Sequence, residues 1–115
     1  MSNEFGKLLR REREMNKIGL REMAKMVGVS PAYLSRVERG EVPPFSEERI
    51  RTIAGILHLD VDELLALGGK VSSDLEGIIL DRPKEMAGLI RALKGVKKED
   101  IIWLTETAKM YAEQV

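Results

Sequence analysis

The chain has 115 residues, 43% apolar, 33% charged and only 4% aromatic, which suits one compact domain, or a small domain with an appendage, around an aliphatic core rather than an all-β or disordered chain. It contains no cysteine and a single histidine, His58, so a disulfide framework, a thiolate nucleophile or metal site, and a pair of imidazoles are excluded. The net charge of zero hides an asymmetry: up to His58 there are 11 Lys+Arg against 8 Asp+Glu, and from Leu59 onward 8 against 11, so the first half is the candidate for nucleic acid.

Helical periodicity runs along the chain with no sustained period-two alternation. A first helix is expected from about Asn3 to Asn16, burying Phe5, Leu8, Leu9 and the stem of Arg13. A short second helix spans Leu20 to Val27, stopped by Gly28, since glycine takes the left-handed conformation at low cost. Ser30-Pro31 then starts a third: serine caps, and proline is tolerated where its missing N–H would be unpaired anyway. This helix runs to Arg39 and ends at Gly40, and Glu41 to Phe45, with two adjacent prolines, is a loop. Ser46 caps a fourth helix with Ile50, Ile53, Ala54 and Leu57 on its inner face, and His58 falls on the surface near its end. Asp60 or Asp62 opens a fifth, carrying Leu64, Leu65 and Leu67, and Gly68-Gly69 closes it. That glycine pair is the expected boundary between residues 1–68 and 69–115. Beyond it three further helical patterns cover Asp74 to Leu80, Pro83 to Leu93, and Lys97 to about Gln114.

The 20 residues from Leu20 to Arg39 carry a helix-turn-helix spacing with a structural reason at each place. Ala24, the fifth, is small where two helices cross closely, and Gly28, the ninth, makes the turn. Met23, Val27, Val29, Leu34 and Val37 pack the pair onto a scaffold. Two helices so joined project the second one, N-terminus first, into a major groove wide enough to admit it.

The run LREMAKMVGVSPAYLSRVERG, followed by PPFSEERIRTIAGILHLDVDELL, resembles the phage-repressor-like or Xre-type family of transcriptional regulators. The resemblance covers about the first 68 residues and implies an all-α, five-helix lambda-repressor-like domain that binds double-stranded DNA as a dimer. Helix two would lie across the backbone and helix three would read base edges. Carried over by position, the outward residues of the third helix are Ser30, Pro31, Ala32, Tyr33, Ser35, Arg36 and Arg39, while Leu34 and Val37 belong to the core. Arg36 is the first choice for direct readout, because a guanidinium grips guanine O6 and N7 together. Ala32 can offer only an apolar contact to a thymine methyl. Tyr33 either hydrogen-bonds a phosphate or packs back on helix two, and Arg39 contacts phosphate. Relatives commonly carry a polar cap and a phosphate-contacting glutamine where this chain has Gly19 and Leu20, so Arg21 or Lys25 would substitute. Pro43 and Pro44 remove two backbone donors from a loop that faces phosphate in relatives, leaving Ser46 and its helix N-terminus to contribute. The resemblance also implies that Arg13 and Glu38 face each other inside the domain as a structural ion pair rather than a catalytic one.

The tail repeats apolar residues at helical spacing: Leu75, Ile78 and Ile79, then Met86, Leu89, Ile90 and Leu93, then Ile101, Leu104, Ala108, Tyr111 and Val115. Ile102, Trp103 and Met110 lie off that last stripe, so the final helix is apolar on more than one side. Some 40 residues rarely bury enough surface to stand alone, so these faces must meet the first domain, a second copy, or another protein. A homodimer is the economical solution, because a two-fold DNA reader needs recognition helices about 34 Å apart. Leu89, Ile90, Leu93, Ile101, Ile102, Trp103, Leu104, Met110 and Tyr111 are its expected interface. PKEMAGLIRA, from Pro83 to Ala92, also resembles the tail of some Xre-type regulators. The competing reading is an antitoxin-like protein, or the partner of a protease, whose tail regulates another polypeptide.

Catalysis is the weakest reading, since no glycine-rich phosphate loop or nucleophile constellation assembles, and Asp60, Asp62 and Glu63 serve as helix-start charges favoured by the dipole. No cofactor or metal is expected. No apolar run approaches the roughly 20 residues that cross a bilayer, and Met1 to Arg10 lacks a signal-peptide apolar region, so a cytoplasmic protein without membrane contact is expected.

Overall fold

In a computed structural model that describes residues 3–114, the described residues form eight α-helices and no strand: α1 (Glu4–Met15), α2 (Leu20–Val27), α3 (Pro31–Glu38), α4 (Glu47–Leu57), α5 (Val61–Leu67), α6 (Ser73–Asp81), α7 (Pro83–Ala92) and α8 (Lys98–Glu113). None is long and apolar enough to cross a membrane. The chain divides into two compact units, one reaching to Ser73 and the other starting at Asp74.

The helix ends of the first unit follow from side-chain chemistry. Ser30, Ser46 and Asp60 each cap a helix, their side-chain oxygens accepting from the N–H groups of Tyr33, Arg49 and Glu63, which satisfies donors that a helix start otherwise leaves unpaired. Gly28 ends α2 in the left-handed region at φ +83°. His58 ends α4 at φ +55°, an uncommon geometry for a residue with a Cβ. Asn3 adds a less familiar closure. Its Nδ2 donates to the Glu38 carbonyl at 3.2 Å, tying the start of α1 to the end of α3.

One aliphatic core joins the five helices. Phe5, Leu9, Met23, Ala24, Val27, Leu34, Val37, Phe45, Ile50, Ile53, Ala54, Leu57, Leu64 and Leu65 are all buried; all but Phe45, which the sequence puts in a loop, lie in the packed helices that it predicts. Leu8 is only partly buried and Leu67 is exposed. Burying an aliphatic side chain of this size contributes about 1.5–3 kcal/mol, so this cluster supplies the main force that holds α2 and α3 in place. α1 packs against α3 and α5, α2 against α3 and α4, and α4 against α5. At the close of the unit Glu47 and Arg51 hold the Ser72–Ser73 segment: Arg51 donates to the Ser72 hydroxyl, and the Glu47 carboxylate accepts from the N–H and hydroxyl of Ser73. Those bonds from Ser73, with the Arg51 guanidinium, hold the Glu47 carboxyl below its ordinary range.

The second unit is of a different kind. None of the described residues of α6, α7 or α8 is buried, and α7 and α8 do not pack closely along their length. Leu80, Trp103, Met110 and Tyr111 are each more than 60% exposed. Val115, expected on the last apolar stripe, lies outside the described residues.

Candidate nucleic-acid interface

The geometry of α2 and α3 starts at Ala24 and Gly28. Ala24 is fully buried, and its carbonyl accepts from the N–H groups of both Gly28 and Val29 at 2.9 and 3.0 Å. This turn closes α2 and redirects the chain within two residues, a path that needs the positive φ of Gly28. Ser30 and Pro31 then start α3, whose Leu34 and Val37 are buried against the core. Fixing those two residues inward fixes the opposite face outward, because helical positions repeat every 3.6 residues.

On that outward face Ser30, Pro31, Ala32, Tyr33, Arg36 and Arg39 are exposed, and Ser35 is half-buried. Ala32 and Arg36, one turn apart, share a stripe. Arg36 makes no ion pair among the described residues, so its fork of donors is free for a ligand. Arg39 differs, because its Nη2 pairs with Glu41 at 3.2 Å and its Nε donates to the Ser35 carbonyl at 3.3 Å. Contact with a phosphate would compete with that neighbour. The ring of Tyr33 lies against Phe45, with centroids 5.6 Å apart and planes tilted by 41°, a contact that neither expectation named.

Two cations extend the surface onto α2. Arg21 and Lys25 are exposed, lie one turn apart, and pair with no carboxylate among the described residues. Gly19 gives α2 no side-chain cap, so the first N–H groups of that helix lack a side-chain acceptor. Ser46 is exposed, but its oxygen already accepts from Arg49 N–H at 3.4 Å, and Glu47 and Glu48 follow it in the first turn. Those charges oppose a phosphate and weaken the case for Ser46.

Arg13 and Glu38 meet as a bidentate pair, Nε to Oε2 at 2.8 Å and Nη2 to Oε1 at 3.0 Å, with both side chains at most 10% exposed. Arg13 Nη1 also donates to the Ile18 carbonyl. The bond to Glu38 raises the Arg13 pKa against the opposing effect of burial. The pair is nearly enclosed and its donors and acceptors are engaged within the domain.

Within the second unit a groove of 510 Å³ is lined by Leu89 and Leu93 from α7 and its C-cap and by Ile101, Leu104, Ala108 and Tyr111 from α8. Five of the nine expected interface residues are brought together there. Ile90, Ile102, Trp103 and Met110 are exposed outside it.

Sequence reasoning passed over two residues that shape this surface. Phe45 sits in a proline-rich loop yet is only 2% exposed. Gly6 is buried on α1, where a Cβ would stand 2.5 Å from the Val37 carbonyl oxygen and 2.6 Å from that of Glu38. The aromatic residue amid turn-formers was a signal for the first; nothing near Gly6 in the chain signals the second.

The helix-turn-helix domain family model matches residues 4–67. Among solved structures, the N-terminal DNA-binding domain of SinR from Bacillus subtilis is 26% identical with a TM-score of 0.50, over 56% of this chain and 93% of that one. A chain of the complex of SinR protein with SinI protein is 22% identical with a TM-score of 0.50, over 95% and 98%. The clp gene regulator ClgR from Corynebacterium glutamicum is 30% identical with a TM-score of 0.49, over 78% and 86%. No curated protein matches the chain. The matched stretch runs from the first residue of α1 to the last of α5, and the chain belongs to the helix-turn-helix domain family.

Proposed function

We propose that the chain is a cytoplasmic transcriptional regulator, a repressor in its simplest form, that binds a pseudo-palindromic operator as a homodimer and catalyses no reaction. Residues 1–68 would read DNA and residues 69–115 would hold the two copies together. The observation that carries this reading is the divided face of α3: Leu34 and Val37 are locked inward, while Ala32 and the unpaired Arg36 stand outward. A helix so presented enters a major groove, with Arg36 on guanine and Arg21, Lys25 and Arg39 on phosphates. The DNA-binding domain of SinR, with the same fold, supports the assignment.

Arg36→Ala is expected to weaken binding to a duplex selected by the wild-type protein by roughly 1–3 kcal/mol and to flatten preference at one base pair of each half-site. Lys25→Ala should instead lower the slope of log affinity against log salt by about 1 while leaving preference intact. Anisotropy titrations over a salt series measure both. Salt-independent binding, or an unchanged preference profile for Arg36→Ala, overturns the assignment.

The groove between α7 and α8 favours self-association. Sedimentation of the full chain should give two copies, and Leu104→Glu should return the monomer and weaken operator binding at least tenfold, because the second half-site no longer contributes. The alternative is a different polypeptide in the same groove. A stable monomer of the full chain that binds its operator undiminished would favour it.

A further inference from the structure

Tyr33 and Phe45 join the start of α3 to the loop that leads into α4. Tyr33 lies in the first turn of α3, where its own N–H is held by Ser30 Oγ at 3.1 Å. Phe45 ends the loop between α3 and α4, immediately after Pro43 and Pro44. The two rings are in tilted contact at 5.6 Å. One is 38% exposed and the other 2%, so the pair runs from the protein surface down into the core.

The loop has few other ways to be held. Pro43 and Pro44 have no N–H to donate, and proline fixes only its own φ. Val42 and Pro44 are half-buried beside Gly6, Val37 and Leu67, and Phe45 anchors the end of the segment in the core. An aromatic pair in this geometry is worth more than its burial alone, and its tilted packing constrains the direction of both rings. Moving Phe45 therefore moves the ring of Tyr33, and with it the first turn that presents Pro31 and Ala32.

We propose that Tyr33 and Phe45 form a brace that sets the start of α3 against the α3–α4 loop, making Phe45, a residue that touches no ligand, a positioning residue for DNA recognition. The inference rests on the DNA-reading role proposed above. It assigns Tyr33 a role through its ring, and the hydroxyl is dispensable.

The test uses the full-length chain and a duplex selected by the wild-type protein from a random pool, with anisotropy read at a temperature where circular dichroism shows each variant folded. Tyr33→Phe should bind within about twofold of wild type. Tyr33→Leu and Phe45→Leu should each lose about tenfold, the scale of one aromatic contact, and the double variant should lose no more than either single one. Leu57→Val, buried in the last turn of α4 about three helical turns from Phe45, serves as a control that lowers the melting temperature without touching the brace, and it should keep wild-type affinity. The proposal is overturned if folded Phe45→Leu binds as wild type, if Tyr33→Phe loses as much as Tyr33→Leu, or if the two leucine losses add. It is equally overturned if Leu57→Val loses the same affinity, since the effect is then one of stability alone. Failure of the wild-type chain to select any duplex would strike the DNA-reading role itself, an outcome distinct from all of these.

Discussion

Glu38→Gln is expected to destabilise the first unit by about 3–5 kcal/mol, the cost of leaving a buried charge without its partner. The substitution keeps the shape of the side chain and removes only its charge, so the loss falls on Arg13, whose guanidinium is within 2.8 and 3.0 Å of the carboxylate and nearly enclosed. A domain of this size has a total stability of about 5–15 kcal/mol, so a urea midpoint should fall by about a fifth or more. Replacing both partners, as Arg13→Met with Glu38→Leu, should cost less than either single change, because no charge is stranded. It will not be free, since the part-buried bond from Nη1 to the Ile18 carbonyl is lost, a deficit of about 1 kcal/mol. Urea melts of the three variants at neutral pH decide the matter. A loss below about 1 kcal/mol for Glu38→Gln would mean that the pair behaves as a solvated surface contact. The folded fraction of each variant should bind DNA normally, since Arg13 and Glu38 lie off the outward face of α3.

The contrast between what the chain disclosed on reading and what it withheld follows the range of the interactions involved. The bounds of α2, the turn at Gly28 and the Ser30-Pro31 start were legible because each is decided by residues within one helical turn of it. The outward face of α3 was legible for the same reason, once Leu34 and Val37 were placed inward by periodicity. His58 was expected on the surface near a helix end and is found there, but its left-handed φ was not, because glycine is the residue that chiefly announces that geometry in a sequence. The partners of Tyr33 and Glu47 were not legible either. Tyr33 meets a ring 12 positions away, and Glu47 meets Ser73, 26 positions away, across a packing that local pattern does not encode. The tail presents the opposite case: its apolar stripes were plain, yet among the described residues of α6 to α8 none finds burial within the chain. One sequence read alone names such a surface without naming its occupant.

Gly6→Ala is expected to destabilise the first unit by about 3 kcal/mol, the upper part of the range for overpacking a core, against a helix propensity that points the other way. In a helix interior alanine is better than glycine by about 1 kcal/mol, and Gly6 sits in the first turns of α1. Propensity alone therefore predicts a gain. Packing reverses the sign, because the new methyl would stand 2.5 and 2.6 Å from the carbonyl oxygens of Val37 and Glu38. Backbone oxygens at the end of a packed helix cannot turn aside as a flexible side chain can, so α1 and α3 would have to part. Parting them would loosen the Asn3 bond to the Glu38 carbonyl and strain the Arg13–Glu38 alignment, since Glu38 rides on the same turn. Gly55→Ala supplies the matched control: it lies within α4, is exposed, and a Cβ there would meet nothing within 4 Å. That variant should gain about 0.5–1 kcal/mol. Thermal melts of the two variants test the argument by sign. A stabilising Gly6→Ala would show that α1 and α3 do not cross as closely as the geometry requires. A destabilising one beside a stabilising Gly55→Ala would show that α1 and α3 cross too closely to admit a single methyl group, 30 residues upstream of the Arg36 carried by that same α3.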